Sequence, residues 1–171
     1  MDSATKIFTA IIIAAFIVGG FLYLAITQKS VEQNWKNPAP QTVASCGAAN
    51  NSIVTKVIDG DTVVVEGGYH VRLLGIDADE KNYPCYQTAK TRLEELVLNK
   101  QVVLKKDVTD VDKYGRCLRA IFLGTQNIGA ELTKEGLAVA SSYEPDVQYK
   151  QEILLAEKQA MESKVGCKWA Q

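Results

Sequence analysis

The chain is poor in the residues that mark several common chemistries. It has one histidine, His70, among 171 residues. It has four cysteines but no Cys-x-x-Cys pair, which argues against a zinc site. It has only four prolines, and no internal repeat or low-complexity tract. Strong charge of either sign is also missing. The formal net charge is -1, so no global positive field draws the chain to nucleic acid. The first 45 residues hold three of the 19 basic and two of the 20 acidic side chains, which leaves 16 against 18 beyond them. A polyanionic partner would have to be held by local positive charge or by a bound cation.

One long segment lacks charge altogether. Ile7 to Ile26 reads IFTAIIIAAFIVGGFLYLAI. At ~1.5 Å per residue a helix of that length spans a bilayer core of roughly 30 Å. The run is apolar on every face, which disfavours a helix packed in a soluble core. It is expected to be one transmembrane signal-anchor over 7–27 behind a short flank, 1–6. A cleaved signal peptide, releasing a secreted protein, is the alternative. Residues 28–51 are polar, with Pro38, Pro40 and Gly47, and read as a tether. Folded structure is expected over 52–171.

All four cysteines, Cys46, Cys85, Cys117 and Cys167, lie beyond the apolar run. An even number is compatible with two disulfides and an oxidising exterior, with three pairings open. Free buried thiols are the alternative.

Periodicity predicts strands at Ile53–Ile58, Thr62–Glu66 and Tyr69–Ile76, with Glu66-Gly67-Gly68 as a hairpin turn. A helix is predicted over Tyr86–Asn99 from Ala89, Leu93, Leu96 and Val97. Strands follow at Gln101–Val108 and Cys117–Leu123. Asn127 is a cap for a helix through Glu135 that Gly136 stops. The last helix is expected over Asp146–Lys164, with Ile153, Leu154, Ala156, Ala160 and Met161 in its apolar stripe, and Gly166 ending it. This order gives an α+β fold: a five-stranded OB-type β-barrel with three helices.

Three clusters carry the chemistry. Asp59-Gly60-Asp61-Thr62 interrupts a β-rich run with two carboxylates, either as plain turn residues or as cation ligands. If Asp61 and Asp77 converge from neighbouring strand ends, they repel unless a hard cation joins them. Arg72 lies in an otherwise mostly apolar strand, where a charge needs a partner, either a structural carboxylate or a phosphate. Arg116 follows Gly115 in the turn Asp112-Lys113-Tyr114-Gly115-Arg116. Glu80 is a carboxylate that can orient or deprotonate water. A cation, two guanidinium groups and a base are the parts needed for phosphodiester hydrolysis.

IDGDTV, RLLGIDADE and DKYGR, in that order, resemble the staphylococcal (micrococcal) nuclease, or thermonuclease, family. The resemblance runs from about Ile53 to Trp169. It implies an OB-type barrel with three helices and calcium-dependent endonuclease cleavage of DNA and RNA, leaving 3'-phosphorylated products. Asp61 and Asp77 would then hold Ca2+, with the backbone carbonyl of Ala78, and Asp59 would support them. Arg72 and Arg116 would clamp the scissile phosphate and Glu80 would serve as general base. Lys113 and Tyr114 match positions that touch a terminal phosphate, and Tyr143 matches an aromatic near the nucleotide. The resemblance also favours a Cys85–Cys117 pairing. The enzyme would act as a monomer on single-stranded or locally open nucleic acid, with its domain outside the cell membrane. The chain departs from the family in two places. Ala78-Asp79 stands where Thr-Pro is usual, and Ser141-Ser142 precede Tyr143 in place of an aromatic pair.

Overall fold

The structure, a computed structural model, describes residues 45–170. The expected anchor over 7–27 and most of the expected tether lie outside the described residues. Among those described, no helix is long and apolar enough to cross a membrane.

Five strands close a barrel. These are β1 (Asn51–Val57), β2 (Thr62–Val65), β3 (Tyr69–Leu73), β5 (Gln101–Lys105) and β6 (Cys117–Leu123). Antiparallel ladders join β3 to β2, β2 to β1, β1 to β5 and β5 to β6. A parallel pairing of β3 with β6 closes the ring. All five were expected as β-rich runs, and their inward residues Val54, Val63, Val65, Val71, Leu73, Val102, Leu104 and Ile121 are almost fully buried. The Glu66–Gly68 turn is a short 3-10 segment with Gly67 at φ +81°.

The predicted third strand is broken. At Gly75 the backbone takes φ +84°, and a Cβ there would meet Ile153 Cδ1 at 2.4 Å. The chain bends and β4 (Gly75–Ala78) leaves the barrel to pair with β8 (Ala138–Ser141), while β7 (Gln126–Asn127) is a short addition to β6. The ribbon of β4 and β8 had no local signal, because its two halves lie about sixty residues apart.

Helix α1 (Tyr86–Val97) buries Ala89, Leu93, Leu96 and Val97 as expected. Asn127 caps α2 (Ile128–Lys134) by accepting from Gly129 N at 3.1 Å and Ala130 N at 3.4 Å. Arg92 of α1 forks onto Glu135 just beyond α2, at 2.7 and 2.6 Å. Helix α3 (Lys150–Ser163) starts later than expected. Asp146 instead accepts from Val108 N and Thr109 N, which holds its segment in a turn. Ile153, Ala156 and Ala160 face the core, whereas Leu154 and Met161 are 40% and 49% exposed and fall outside the stripe. Lys164, in the left-handed region at φ +51°, ends α3. Gly166, expected as the stop, opens a final turn, α4 (Gly166–Trp169).

The disulfides are Cys46–Cys117 and Cys85–Cys167, with Cα separations of 5.3 and 5.5 Å. The expected Cys85–Cys117 pairing is therefore replaced. Cys117 opens β6 beside the incoming N-terminal segment, whereas Cys85 precedes α1 beside the last turn. Residues 45–50, expected as tether, are bonded to the domain. Cys46 N donates to Asp110 Oδ2 at 3.0 Å, and Leu104 N donates to Asn50 O at 2.6 Å.

Candidate active site

The Asp59–Thr62 turn is set by a close approach. A Cβ on Gly60 would lie 2.6 Å from Ala78 Cβ and 2.7 Å from Ala89 Cβ, so only glycine lets this turn pack beneath β4 and α1. Asp59 Oδ1 accepts from Asp61 N at 3.0 Å and fixes the turn. Asp61 is thereby driven inside, with 6% of its surface exposed. Its Oδ2 accepts from Ala78 N at 2.8 Å, and its Oδ1 accepts from Thr62 Oγ1 at 3.1 Å.

Register supplies the next member. Thr62 pairs with Arg72 across β2 and β3, and Leu73 N donates to Asp61 O at 2.8 Å. Alternation sends Val71 and Leu73 into the core and leaves Arg72 on the other face. Its Nη1 lies 2.9 Å from Asp61 Oδ2, and its Nη2 donates to Asp77 Oδ1 at 2.8 Å. One guanidinium thus spans both proposed cation ligands. Asp77 itself is exposed.

Burial pushes the Asp61 carboxyl up to about 6, against the opposing pull of Arg72 and of the Ala78 N–H. The ion pair is short, but desolvation outweighs it.

Arg116 is held by its own turn. Asp112 Oδ1 accepts from Tyr114 N and Arg116 N, both at 2.9 Å, and Asp112 Oδ2 accepts from Arg116 Nε at 2.7 Å. Gly115 sits at φ +80° within this turn, a conformation that glycine adopts freely. Burial raises the Asp112 carboxyl, but the Arg116 backbone and guanidinium contacts outweigh it and hold the group below the usual carboxylate range. Lys113 Nζ and the Arg116 guanidinium lie 5.0 and 5.5 Å from the centre of the Tyr114 ring.

A cleft of about 600 Å³ gathers most of these groups. Arg72, Asp77, Lys113, Tyr114, Arg116 and Tyr143 all line it. Tyr114 and Tyr143 stand at its rim, 72% and 78% exposed, with Lys113 and Arg116 lying over the Tyr114 ring. Asp61 and Asp59 lie behind the wall and act on it through Arg72 and the turn. Glu80 is not gathered. It is exposed, lies outside the cleft lining and has no side-chain hydrogen bond among the described residues.

Asp112 and Asp146 also line the cleft and were not singled out from the sequence. The Asp-to-Arg spacing within DKYGR, four residues apart in a tight turn, was a usable signal for Asp112. Asp146 had none, since its partners Val108 and Thr109 are 38 and 37 residues away.

Residues 70–171 match the model of a family described as staphylococcal nuclease homologue. The chain belongs to the staphylococcal nuclease family. A thermonuclease of Staphylococcus hyicus is 32% identical over 170 residues, covering 93% of this chain and 95% of that protein. A thermonuclease of Staphylococcus intermedius is 34% identical over 123 residues, 67% of this chain and 73% of its own. Endonuclease YncB of Bacillus subtilis (strain 168) is 36% identical over 127 residues, 68% of this chain and 60% of its own. With these relatives, the chain is a phosphodiester-hydrolysing nuclease of the staphylococcal nuclease family, acting on nucleic acid.

The family is generally calcium-dependent, and the donors present fit a hard cation. They are oxygens only: the carboxylates of Asp61 and Asp77, already drawn to one positive group. Among the described residues no three His, Cys, Asp or Glu side chains form a closed cage. A cation here would need the Ala78 carbonyl and water to fill its 6–8 positions.

Proposed function

We propose that the chain is a calcium-dependent endonuclease that hydrolyses phosphodiester bonds of DNA and RNA and leaves 3'-phosphorylated products. The observation that carries this reading is the Arg72 guanidinium held between Asp61 and Asp77 at a cleft that Arg116 also lines. Two carboxylates and two forked cations around one cleft suit a phosphodiester and a divalent ion together.

In this reading Asp61, Asp77 and the Ala78 carbonyl hold Ca2+, and Asp59 fixes the turn that presents Asp61. The bound ion supplies electrostatic stabilisation of charge gathering on the phosphorus oxygens. The guanidinium groups add to it. Both are now satisfied by carboxylates, Arg72 by Asp61 and Asp77 and Arg116 by Asp112. An arriving phosphate offers the same oxygen geometry and draws the free edge of each fork toward the cleft. Glu80 takes the proton from the attacking water, and its carboxylate must turn toward the cleft to do so. Lys113 and Tyr114 contact a terminal phosphate, while the exposed ring of Tyr143 stacks on a base. Such stacking contributes roughly 1–3 kcal/mol per base and favours single-stranded or locally open substrate. The lack of net positive charge makes substrate binding lean on the ion and on these few groups.

The same reading places a monomeric enzyme outside the cell membrane, held by a single pass over 7–27 or released after cleavage. Support comes from the uncharged run Ile7–Ile26 and from two disulfides, which suit an oxidising exterior.

Incubation of the full chain, in detergent, with single-stranded DNA tests the activity. Cleavage in calcium, none with chelator, and 3'-phosphate ends are expected. Binding without turnover in millimolar calcium would instead identify a non-catalytic OB-barrel module that holds nucleic acid or protein.

A further inference from the structure

The loop after β4 carries Glu80, the group assigned above as the base, and it follows directly on Asp77 and Ala78, the last two residues of β4. Its first residue, Asp79, is not a proline, and its one proline, Pro84, stands at the far end beside Cys85. Asp79 reaches away from the cleft. Its Oδ2 accepts from Cys85 N at 2.9 Å, and its Oδ1 accepts from the Lys168 ammonium. This pair is well shielded, with 15% and 20% of the two side chains exposed. Exposed pairs contribute little, but this one is mostly withdrawn from water.

Lys168 is itself anchored. Its backbone N donates to Gly136 O at 3.0 Å. A Cβ on Gly136 would lie 2.1 Å from Val165 O, and one on Gly166 would lie 2.2 Å from Glu135 O. The turn α4 is therefore seated backbone to backbone on the end of α2. Beside Lys168, Cys167 is bonded to Cys85. The two ends of the loop, Asp79 and Cys85, are thus fastened to one C-terminal turn, one end by an ion pair and the other by a covalent bond. Glu80 lies between the two fastenings and has no side-chain partner among the described residues.

We infer that Asp79 is a positioning residue, and that its pairing with Lys168 on the terminal turn sets the loop that presents Glu80 just beyond the end of β4. This inference rests on the calcium-nuclease reading for what the loop does, but not for how it is held. Asp79 does not line the cleft. It acts by narrowing the positions open to its neighbours on both sides, as supporting groups do around metal ligands.

The test uses the full chain in detergent with Lys168→Met, Lys168→Arg and Asp79→Asn. Two readouts are taken: amide hydrogen exchange over residues 78–86, and kcat and KM for single-stranded DNA in saturating calcium. Lys168→Met is expected to speed exchange in this segment by about tenfold and to lower kcat by about tenfold, with KM changed by less than about twofold. Lys168→Arg, which keeps the pair, restores both. Asp79→Asn follows Lys168→Met, and as the milder change it decides the matter if Lys168→Met does not fold. A folded Asp79→Asn with wild-type exchange and wild-type kcat overturns the inference, as does faster exchange with kcat unchanged. If the wild-type chain cleaves nothing, the nuclease reading fails instead. Exchange alone then decides the tether: faster in Lys168→Met and restored in Lys168→Arg keeps it, and no change removes it.

Discussion

Arg72 places one guanidinium nitrogen 2.9 Å from the buried carboxylate of Asp61 and the other 2.8 Å from Asp77. The contact to Asp61 comes from ladder register, because Arg72 stands opposite Thr62, the residue after Asp61. The contact to Asp77 comes from the bend at Gly75, which turns β4 back beside the barrel mouth. A lysine at this position keeps the charge but cannot span two carboxylates and a phosphate with a planar fork. Arg72→Lys is expected to fold and to lose about a hundredfold or more in kcat for single-stranded DNA. Wild-type rates in this variant would remove the fork from the mechanism.

Asp61 gives a pH signature in the calcium-free protein. Its carboxyl is raised to about 6 in the folded chain by burial, above the ordinary value of 3.8. The folded state then binds the proton more tightly than the unfolded state. The stability this group contributes is fully present below about pH 4 and is lost as pH rises through about 6. In chelator, denaturant titrations should show the wild type losing stability relative to Asp61→Asn between about pH 4 and 7. A wild type that gains on Asp61→Asn over that range would mean that the Arg72 pairing, not desolvation, dominates.

Calcium should stabilise the fold by mass action. At a hundred times its dissociation constant the gain is about 2.7 kcal/mol, read as a rise in Tm. Asp77→Asn should reduce that rise while leaving the calcium-free Tm little changed, because Asp77 is exposed. An equal rise in both proteins would place the ion elsewhere.

The disulfides close long loops, with their partners 71 and 82 positions apart in sequence. Each is expected to contribute about 2–4 kcal/mol. Cys46→Ser with Cys117→Ser should lower the denaturant midpoint by the corresponding amount, and it also frees residues 45–50 from β6. An unchanged midpoint would show that this bridge is not formed in the folded protein.

The barrel was legible because its strands are β-rich runs set off by turn residues, and in β3 the alternation of Val71 and Leu73 against Arg72 also sets the faces. So was the Asn127 cap, whose partners lie two and three residues away. The ribbon of β4 with β8 was not, since a strand that pairs with a distant segment reads as a continuation of its predecessor. The disulfides were hidden for the same reason: pairing is decided by where α4 and residues 45–50 dock. At the site, Asp61, Arg72, Asp77 and Arg116 could be named from their chemistry, but the sharing of one guanidinium could not. Asp79 reads in sequence as one more negative charge beside the site, and only the folded chain reveals its partner Lys168, 89 residues away.

The central claim is that Asp61 and Asp77 form one cation site beside the phosphate clamp. Calorimetric titration of the full chain with calcium tests it most directly. One ion per chain is predicted for the wild type, with binding abolished or strongly weakened in both Asp61→Asn and Asp77→Asn. Undiminished binding in either variant, or no binding in the wild type at millimolar calcium, would contradict it.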